Sequence, residues 1–165
     1  MTDPRMGDGL WQALEQLPRG SGVIFRHYGA PGRRALFERV RRIARRRRLV
    51  LVLAGGLQQA AAWRADGAHG RSPHKRRPRP MLRTAPTHSA REMLAARADL
   101  VFLSPLFPTR SHPQARGVGR VRFGLWAQRS HVPVAALGGM DRQRFRGVAA
   151  LGAYGWAAID AWIRT

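Results

Sequence analysis

Apolar, strand-like segments alternate with amphipathic, helix-like segments along almost the whole chain of 165 residues. Ala35–Arg48 shows the helical pattern best, because its apolar residues recur at helical spacing and arginines fill the other positions. Regular alternation of this kind predicts parallel strands joined by crossover helices. We predict strands within Gly22–Arg26, Leu49–Ala54, Ala65–His69, Met81–Ala85, Leu100–Ser104, Pro133–Leu137 and Tyr154–Ile159. We predict helices over Asp8–Leu17, Ala35–Arg48, Leu57–Arg64, Ser89–Arg97, Arg120–Arg129 and Asp141–Leu151, followed by a tail at Ala161–Arg164. Ser89 and Glu92 form a capping-box pattern at the start of one of these helices, and Asp141 can cap another.

Two α/β architectures compete for these strands. A (β/α)₈ barrel needs one strand more than we count, and 165 residues is short for that fold. An open, doubly wound sheet is the alternative, but no G-x-G-x-x-G follows the first strand, where Gly29–Gly32 reads as a turn. In either case the length and hydrophobic content fit one domain over residues 1–165.

The amino-acid composition excludes several classes of function. The chain has no cysteine, which excludes disulfides and cysteine nucleophiles and suits a reducing cytoplasm. No apolar run is long enough to cross a bilayer, and the N-terminus lacks a signal-peptide pattern. The net charge is +21, and Lys75 is the only lysine among the 30 basic residues. Because the arginines are spread along the chain, compositional bias explains them better than a nucleic-acid reading element, so we expect only non-specific attraction to polyanions.

Two predicted strands end in small, hydroxyl-bearing or glycine residues. The Leu100–Ser104 strand leads into Pro105–Pro113, and the Pro133–Leu137 strand leads into Gly138-Gly139. A buried strand that ends in this way presents hydroxyl groups and bare backbone N–H groups, which are donors to an anion. The sequence therefore predicts a phosphate site at the carboxyl ends of neighbouring strands.

Five motifs resemble those of the thiamine phosphate synthase/TenI family, in the right order and spacing. The family patterns A-D-G-V-H, T-H-S, G-P-[IV]-F-x-T-x-T-K, I-P-V-V-A-I-G-G-[IM] and G-A-D-G-V-A are matched by Ala65–His69, Thr87–Ser89, Leu103–His112, Val132–Met140 and Gly152–Ala157. The resemblance implies a small (β/α)₈ barrel. In the family the first strand runs directly into Thr-Asp, and here Thr2-Asp3 follows the initiator methionine. We therefore expect a barrel that lacks, or is truncated at, its first strand.

The resemblance also implies site residues. Thr109 and Ser111 match hydroxyl positions that hold phosphate or pyrophosphate in the family, and His112 stands where the family has lysine. Gly138 and Gly139 match the phosphate-binding glycines. Arg26 matches the arginine of Q-x-R-x-K, which can grip a pyrophosphate bidentately, although a surface role is an equal alternative in so arginine-rich a chain.

The expected magnesium ligands are missing. Family synthases bind Mg²⁺ through an Asn-Asp pair and a further aspartate, whereas Ala54-Gly55-Gly56 and the cationic stretch Gly70–Pro78 occupy those places here. Asp3 and Asp160 are the carboxylates expected at the carboxyl ends of adjacent strands, one and eight, and offer a weak alternative metal site. The TenI-like tautomerase histidine is also replaced, by Pro105.

The resemblance thus implies a cytoplasmic enzyme of thiamine biosynthesis, a transferase that condenses a hydroxymethylpyrimidine pyrophosphate with a thiazole phosphate, with Mg²⁺ if it is an active synthase. A TenI-like non-synthase, or a non-catalytic binder of a phosphorylated ligand, is the first alternative. A polyanion- or nucleic-acid-binding module, favoured by charge alone, is the second. The partner expected is a phosphorylated thiazole or pyrimidine, with no membrane and with a homo-oligomer as one possibility.

Overall fold

The computed structural model describes residues 1–71, 80–109 and 114–162. The described strands form one sheet in which β1 to β7 follow each other in chain order. The strands are β1 (Gly22–Phe25), β2 (Val50–Ala54), β3 (Gly67–His69), β4 (Leu82–Thr87), β5 (Leu100–Leu103), β6 (Val134–Leu137) and β7 (Gly155–Ala157). The helices are α1 (Gly9–Gln16), α2 (Arg33–Arg47), α3 (Leu57–Ala62), α4 (Ala90–Leu94), α5 (Arg120–Ala127) and α6 (Arg142–Ala149), with 3₁₀ turns at Pro4–Met6 and Asp160–Trp162.

This topology confirms the α/β class and the parallel strands. A doubly wound sheet reverses its strand order at a switch point, and the order here does not reverse. An eighth strand is not found in the described ranges, although the backbone N–H of Thr2 donates to the carbonyl oxygen of Ile24 in β1 at 2.8 Å. The chain divides into two compact units: unit 1 is Met1–Leu82 with Ile159–Thr165, and unit 2 is Arg83–Ala158.

Unit 1 contains the parallel strands β1, β2 and β3, with Phe25 opposite Leu53 and Ala54 opposite His69. Phe37 of α2 is fully buried and meets the ring of Phe25 edge-on, with the ring centroids 5.4 Å apart. Burial of a side chain of this size contributes about 1.5–3 kcal/mol, which explains why α2 packs against the sheet despite its many charges.

The arginines of α2 lie mostly outside this core. Arg34 and Arg41 pair with Glu38, and Arg39 stacks over Trp11 at 3.8 Å. Arg42 and Arg45 are exposed. Arginines at the last turn interact favourably with the negative end of the helix dipole, and the neighbouring like charges oppose this by similar amounts.

Unit 2 contains β4 to β7, each paired in parallel with the next. Its core gathers strand and helix residues that include Val101, Leu103, Phe123 and Val148, all fully buried. The Asp141 side chain caps α6 by accepting from the N–H of Arg144 at 2.7 Å, as the sequence predicts. None of the helices in the described part of the chain has the length and apolar character to span a membrane.

Several predicted elements are shorter than the sequence indicates, α4 and β7 among them. Helix α4 ends at Leu94 instead of Arg97, and the chain is then tied to Arg83: the N–H of Asp99 donates to the Arg83 carbonyl, and the Asp99 carboxylate accepts from the Arg83 N–H, each at 2.8 Å. Strand β7 ends at Ala157, and a 3₁₀ turn begins at Asp160. Asp3 caps the first 3₁₀ turn, directly after the Thr2 bond to β1, and the weak metal site suggested for Asp3 and Asp160 stays a prediction.

Candidate functional site

In unit 2, the loop that follows β5 lies directly against Gly138 and Gly139 after β6. A Cβ atom on Gly138 would stand 2.7 Å from the Cα of Pro105, and one on Gly139 would stand 2.6 Å from the carbonyl oxygen of Pro108. Both glycines also have positive φ, +92° and +60°, which side chains rarely adopt. Only glycine fits at this contact, so the pair is required by a close backbone approach.

Backbone hydrogen bonds hold the described parts of this loop in place. The N–H of Leu106 donates to the carbonyl of Leu137 at 2.8 Å, and that of Phe107 donates to the carbonyl of Gly138 at 3.1 Å. The returning chain is fixed as well, since the N–H of Val118 donates to the carbonyl of Pro105 at 2.9 Å. The guanidinium of Arg144 donates to the carbonyl of Gly139 and lies 5.1 Å from the ring centroid of Phe107.

These contacts bring three of the sequence-predicted phosphate ligands to one end of unit 2. Thr109, half-buried, follows Pro108 directly in the loop that touches Gly139. Ser111 and His112 lie outside the described residues, so their predicted roles stay predictions. The described part of the loop after β5 therefore lies against the glycines after β6, and the phosphate site predicted there stays a prediction.

His88, at the end of β4, has a structural partner. Its Nδ1 lies 2.8 Å from the carbonyl oxygen of Ser104. Because a carbonyl only accepts, Nδ1 carries the proton in this bond. This contact joins the end of β4 to the end of β5.

In unit 1, the carboxyl end of β1 carries a hydrogen-bonded cluster of Thr2, Arg26 and His27. The Thr2 Oγ1 accepts from the backbone N–H of Arg26 at 3.0 Å and lies 3.0 Å from the Nδ1 of His27. A threonine hydroxyl has one donor and two acceptor sites, so Thr2 Oγ1 can bond to Arg26 and His27 at the same time. Burial lowers the pKa of His27, and Arg33 adds to this against an opposing effect of Asp3.

A second histidine at this end is buried and neutral. His69 ends β3 opposite Ala54, and its side chain is only 6% exposed. Burial, reinforced by the positive charge of Arg26, lowers the pKa of His69 to about 4. Arg26 itself is half-buried, and its guanidinium has no hydrogen-bonded or ion-paired acceptor among the described residues.

The two candidate metal carboxylates share an arginine. The Asp3 carboxylate accepts from the Nε of Arg5 at 2.8 Å and from its backbone N–H at 3.1 Å. Burial would raise the pKa of Asp3, but these bonds outweigh it and hold the pKa below its usual value. The hydrogen bond that Arg5 donates to the Asp3 carboxylate raises the pKa of Arg5, and the charge of Asp160 contributes to the same effect.

The remaining carboxylates lie elsewhere in the fold. Of the nine acidic residues, the other seven begin or cap helices, pair with α2 arginines, or hold the amino ends of strands: Asp8, Glu92 and Asp141; Glu15 and Glu38; Asp66 and Asp99. Within the described ranges, no three histidine or acidic side chains come together as a metal ion would require.

A guanidinium stands at the end of β2, where the family resemblance implies carboxylate and amide ligands. The Nη2 of Arg33 donates to the carbonyl oxygen of Ala54 at 2.7 Å. The same guanidinium lies 5.2 Å from the ring centroid of Trp63 and 5.7 Å from those of Phe25 and Tyr28. Mg²⁺ needs several anionic or neutral oxygen ligands, and this donor set does not fit it.

Sequence reasoning missed His27 and Arg33 as members of this end of unit 1. A usable signal was present for Arg33: the first turn of a helix that follows a parallel strand lies at the carboxyl end of the sheet. The resemblance to the family's Thr-Asp places Thr2 after a first strand, but it does not give the partners of Thr2, which lie 24 and 25 residues along the chain.

Comparisons with known proteins agree with these observations. The family described as "Thiamine monophosphate synthase" matches residues 7–162. The "Putative thiamine-phosphate synthase 2" of Aquifex aeolicus (strain VF5) is 28% identical over 139 residues, covering 78% of this chain and 74% of the relative. The solved thiamine phosphate pyrophosphorylase from Pyrococcus furiosus is 25% identical with a TM-score of 0.79, covering 97% of this chain and 83% of that one. The solved thiamine phosphate pyrophosphorylase from Bacteroides thetaiotaomicron shares the fold, with a TM-score of 0.63 at 19% identity. The match covers 97% of this chain and 81% of that one.

Proposed function

The chain belongs to the thiamine monophosphate synthase family, and we propose that it acts in thiamine biosynthesis on a phosphorylated thiazole and a pyrimidine pyrophosphate. The observation that carries the proposal is the close approach of the loop after β5 to Gly138 and Gly139, the positions that match the family's phosphate-binding glycines. The similarity to thiamine phosphate synthases in sequence and in fold supports the same assignment. We also propose that the seven strands correspond to strands two to eight of a (β/α)₈ barrel forming a single domain.

In the proposed site, the thiazole phosphate lies over Gly138 and Gly139, where no Cβ keeps it from the backbone. Thr109 donates its hydroxyl to the same phosphate, and Ser111 and His112 complete the set. Arg26 binds the pyrophosphate of the pyrimidine. The half-buried guanidinium of Arg26, to which no described carboxylate is hydrogen-bonded, supports this role.

The proposed reaction is a substitution at the pyrimidine methylene carbon. The bond from this carbon to the pyrophosphate oxygen breaks, and the electron pair leaves with pyrophosphate. The lone pair of the thiazole nitrogen then forms the new C–N bond, which gives a thiazolium and needs no proton transfer. The protein's contribution is charge stabilisation of the departing pyrophosphate by a preorganised cation, which is the role of Arg26.

Magnesium does not fit the described residues at this end of unit 1, so none of these steps is assigned to it. The same observation favours a second candidate: a relative that binds the phosphorylated ligand without catalysing the condensation. The guanidinium of Arg33 at Ala54 and the ion pair between Asp3 and Arg5 are the specific contacts that favour it.

A condensation assay separates the two candidates. Purified protein is incubated with the pyrimidine pyrophosphate and the thiazole phosphate, with and without Mg²⁺, and thiamine phosphate is measured by conversion to its fluorescent oxidation product. The proposal expects product from the wild type, little from Gly139→Ala, and wild-type amounts from Gly155→Ala, whose Cβ would meet nothing within 4 Å. Thermal stabilisation by the thiazole phosphate without any product would instead establish the binder.

A further inference from the structure

We infer that the carboxyl end of β1 to β3 in unit 1 binds a pyrophosphate-type oxyanion without a divalent cation, and that Arg26 is its principal ligand. The inference deepens the proposed function and rests on it for the choice of ligand. It differs from what the family resemblance implies, which is a magnesium-dependent site.

The first argument is the charge of this end of unit 1. Arg26, half-buried, has no carboxylate bonded to its guanidinium among the described residues, and Asp3, whose pKa the charge of Arg26 helps to lower, is bonded to Arg5. The guanidinium donors of Arg26 thus have no described acceptor, and an oxyanion can accept from two of them at once. At this end of unit 1 the cationic Arg5, Arg26 and Arg33 outnumber the anionic Asp3 and Asp160, whereas a magnesium site requires an excess of negative charge.

The second argument is the identity of the groups at the neighbouring strand ends. Strand β2 ends with the Ala54 carbonyl bonded to Arg33, and β3 ends with the buried His69. Neither strand contributes a carboxylate, and the sequence from Gly70 to Pro80 contains none either. In a synthase, a metal ion neutralises pyrophosphate and draws it into the site; here fixed guanidinium groups carry the positive charge directly.

The third argument is the rigidity of Arg26. Its backbone N–H is held by Thr2, which is itself held by His27, and both of these side chains are buried. A ligand-binding cation on a fixed backbone loses little freedom when it binds, so its interaction with an oxyanion is not offset by the cost of ordering the main chain.

Calorimetric titration of inorganic pyrophosphate into the full chain, in buffer freed of divalent ions by a chelator, tests the inference. We expect saturable binding at one site, and a loss of affinity of about tenfold or more in Arg26→Gln, because hydrogen bonds to charged groups are the strong ones. Arg26→Lys retains the charge but not the bidentate fork, and is expected to fall between the two. The matched control is Arg19→Gln, which removes an exposed arginine from a turn of the same unit.

His69 supplies a second readout, independent of activity. An anion bound beside Arg26 offsets the positive charge that acts on His69, so bound pyrophosphate should raise the pKa of His69 from about 4, as followed by NMR of the imidazole ring. The same addition to Arg26→Gln should leave the His69 resonance unchanged.

Three results overturn the inference: binding that appears only when Mg²⁺ is added, equal loss of affinity in Arg26→Gln and Arg19→Gln, or no binding at all. Failure of the proposed function gives a different pattern. Metal-free pyrophosphate binding with no thiamine phosphate formed would refute the condensation and leave the inference standing. Formation of thiamine phosphate together with pyrophosphate binding that strictly requires Mg²⁺ would support the condensation and overturn the inference.

Discussion

Replacing Gly138 with alanine tests whether the loop after β5 is held against the end of β6. The added Cβ would lie 2.7 Å from the Cα and 2.8 Å from the Cβ of Pro105, and 3.2 Å from the backbone nitrogen of Leu106. These atoms belong to backbone or to a proline ring, so they cannot move aside as the end of a flexible side chain would. Relief of the overlap therefore requires the loop to shift.

The expected loss has two parts. A φ of +92° costs a residue with a Cβ about 1–2 kcal/mol. Overpacking against a fixed neighbour costs about 1–3 kcal/mol more. Together these reduce the free energy of unfolding by about 2–5 kcal/mol, which is a large part of the stability of an ordinary domain.

Urea unfolding followed by circular dichroism measures this loss. With a slope of about 2 kcal/mol per molar urea, the midpoint should fall by about 1–2.5 M. Gly155→Ala is the matched control, because its φ is ordinary and its Cβ would meet nothing within 4 Å, so the expected change stays within about 1 kcal/mol. Equal midpoints for the two variants would refute the reasoning, since they would show that the loop does not press on Gly138.

Three further predictions follow from other contacts. Thr2→Val leaves the backbone N–H of Arg26 and the Nδ1 of His27 without their partner, and should lower the free energy of unfolding by about 2 kcal/mol or more, measured by urea unfolding. The folded pKa of His69 lies below its unfolded value of 6.5, so the unfolded chain takes up the proton first as the pH falls. The free energy of unfolding should therefore be independent of His69 above pH 6.5 and should fall by about 3 kcal/mol as the pH falls toward 4. Replacing the exposed Arg42 and Arg45 of α2 with glutamine should weaken non-specific binding to duplex DNA. The slope of log K against the logarithm of the salt concentration should become shallower by about two.

Each of these predictions has its own control. Thr2→Ser keeps the hydroxyl, and a loss as large as that of the valine variant would count against the hydrogen bonds. His69→Gln removes the titrating group, and an unchanged acid slope would show that other groups cause it. For the α2 variant, the control replaces the exposed Arg122 and Arg142 with glutamine, which changes the net charge by the same amount. If the two variants change the salt dependence of DNA binding equally, net charge alone controls the binding.

Local signals in the sequence were sufficient for the secondary structure. The capping box that begins at Ser89 forms as predicted: the N–H of Glu92 donates to the Ser89 Oγ at 3.2 Å, and the Glu92 carboxylate accepts from the N–H of His88 at 3.0 Å. These partners lie within four residues of each other, so their geometry hardly depends on the rest of the chain. Helix ends were predicted less well: α4 ends at Leu94 instead of Arg97, and Asp99 beyond it bonds to Arg83, a partner 16 residues away that no local pattern indicates.

At the candidate site, too, the sequence predicted some features and only the tertiary structure decided others. Glycine after a buried strand predicted that the backbone at Gly138 and Gly139 approaches a phosphorylated ligand, since no Cβ intervenes. The neighbours that the structure shows there are Pro105 and Pro108, and only the tertiary structure decided this contact, because they lie on another strand's loop. The phosphate ligation itself stays a prediction.

The order of apolar and amphipathic segments determined the parallel α/β sheet, because the periodicity of each segment fixes which of its faces must be buried. Only the tertiary structure decided the charges at the strand ends of unit 1. Arg33 reaches Ala54 across 21 residues and Thr2 reaches His27 across 25, and no local pattern encodes such pairs. They form because the parallel strands bring their carboxyl ends to one edge, where polar groups that are distant in the chain must satisfy one another.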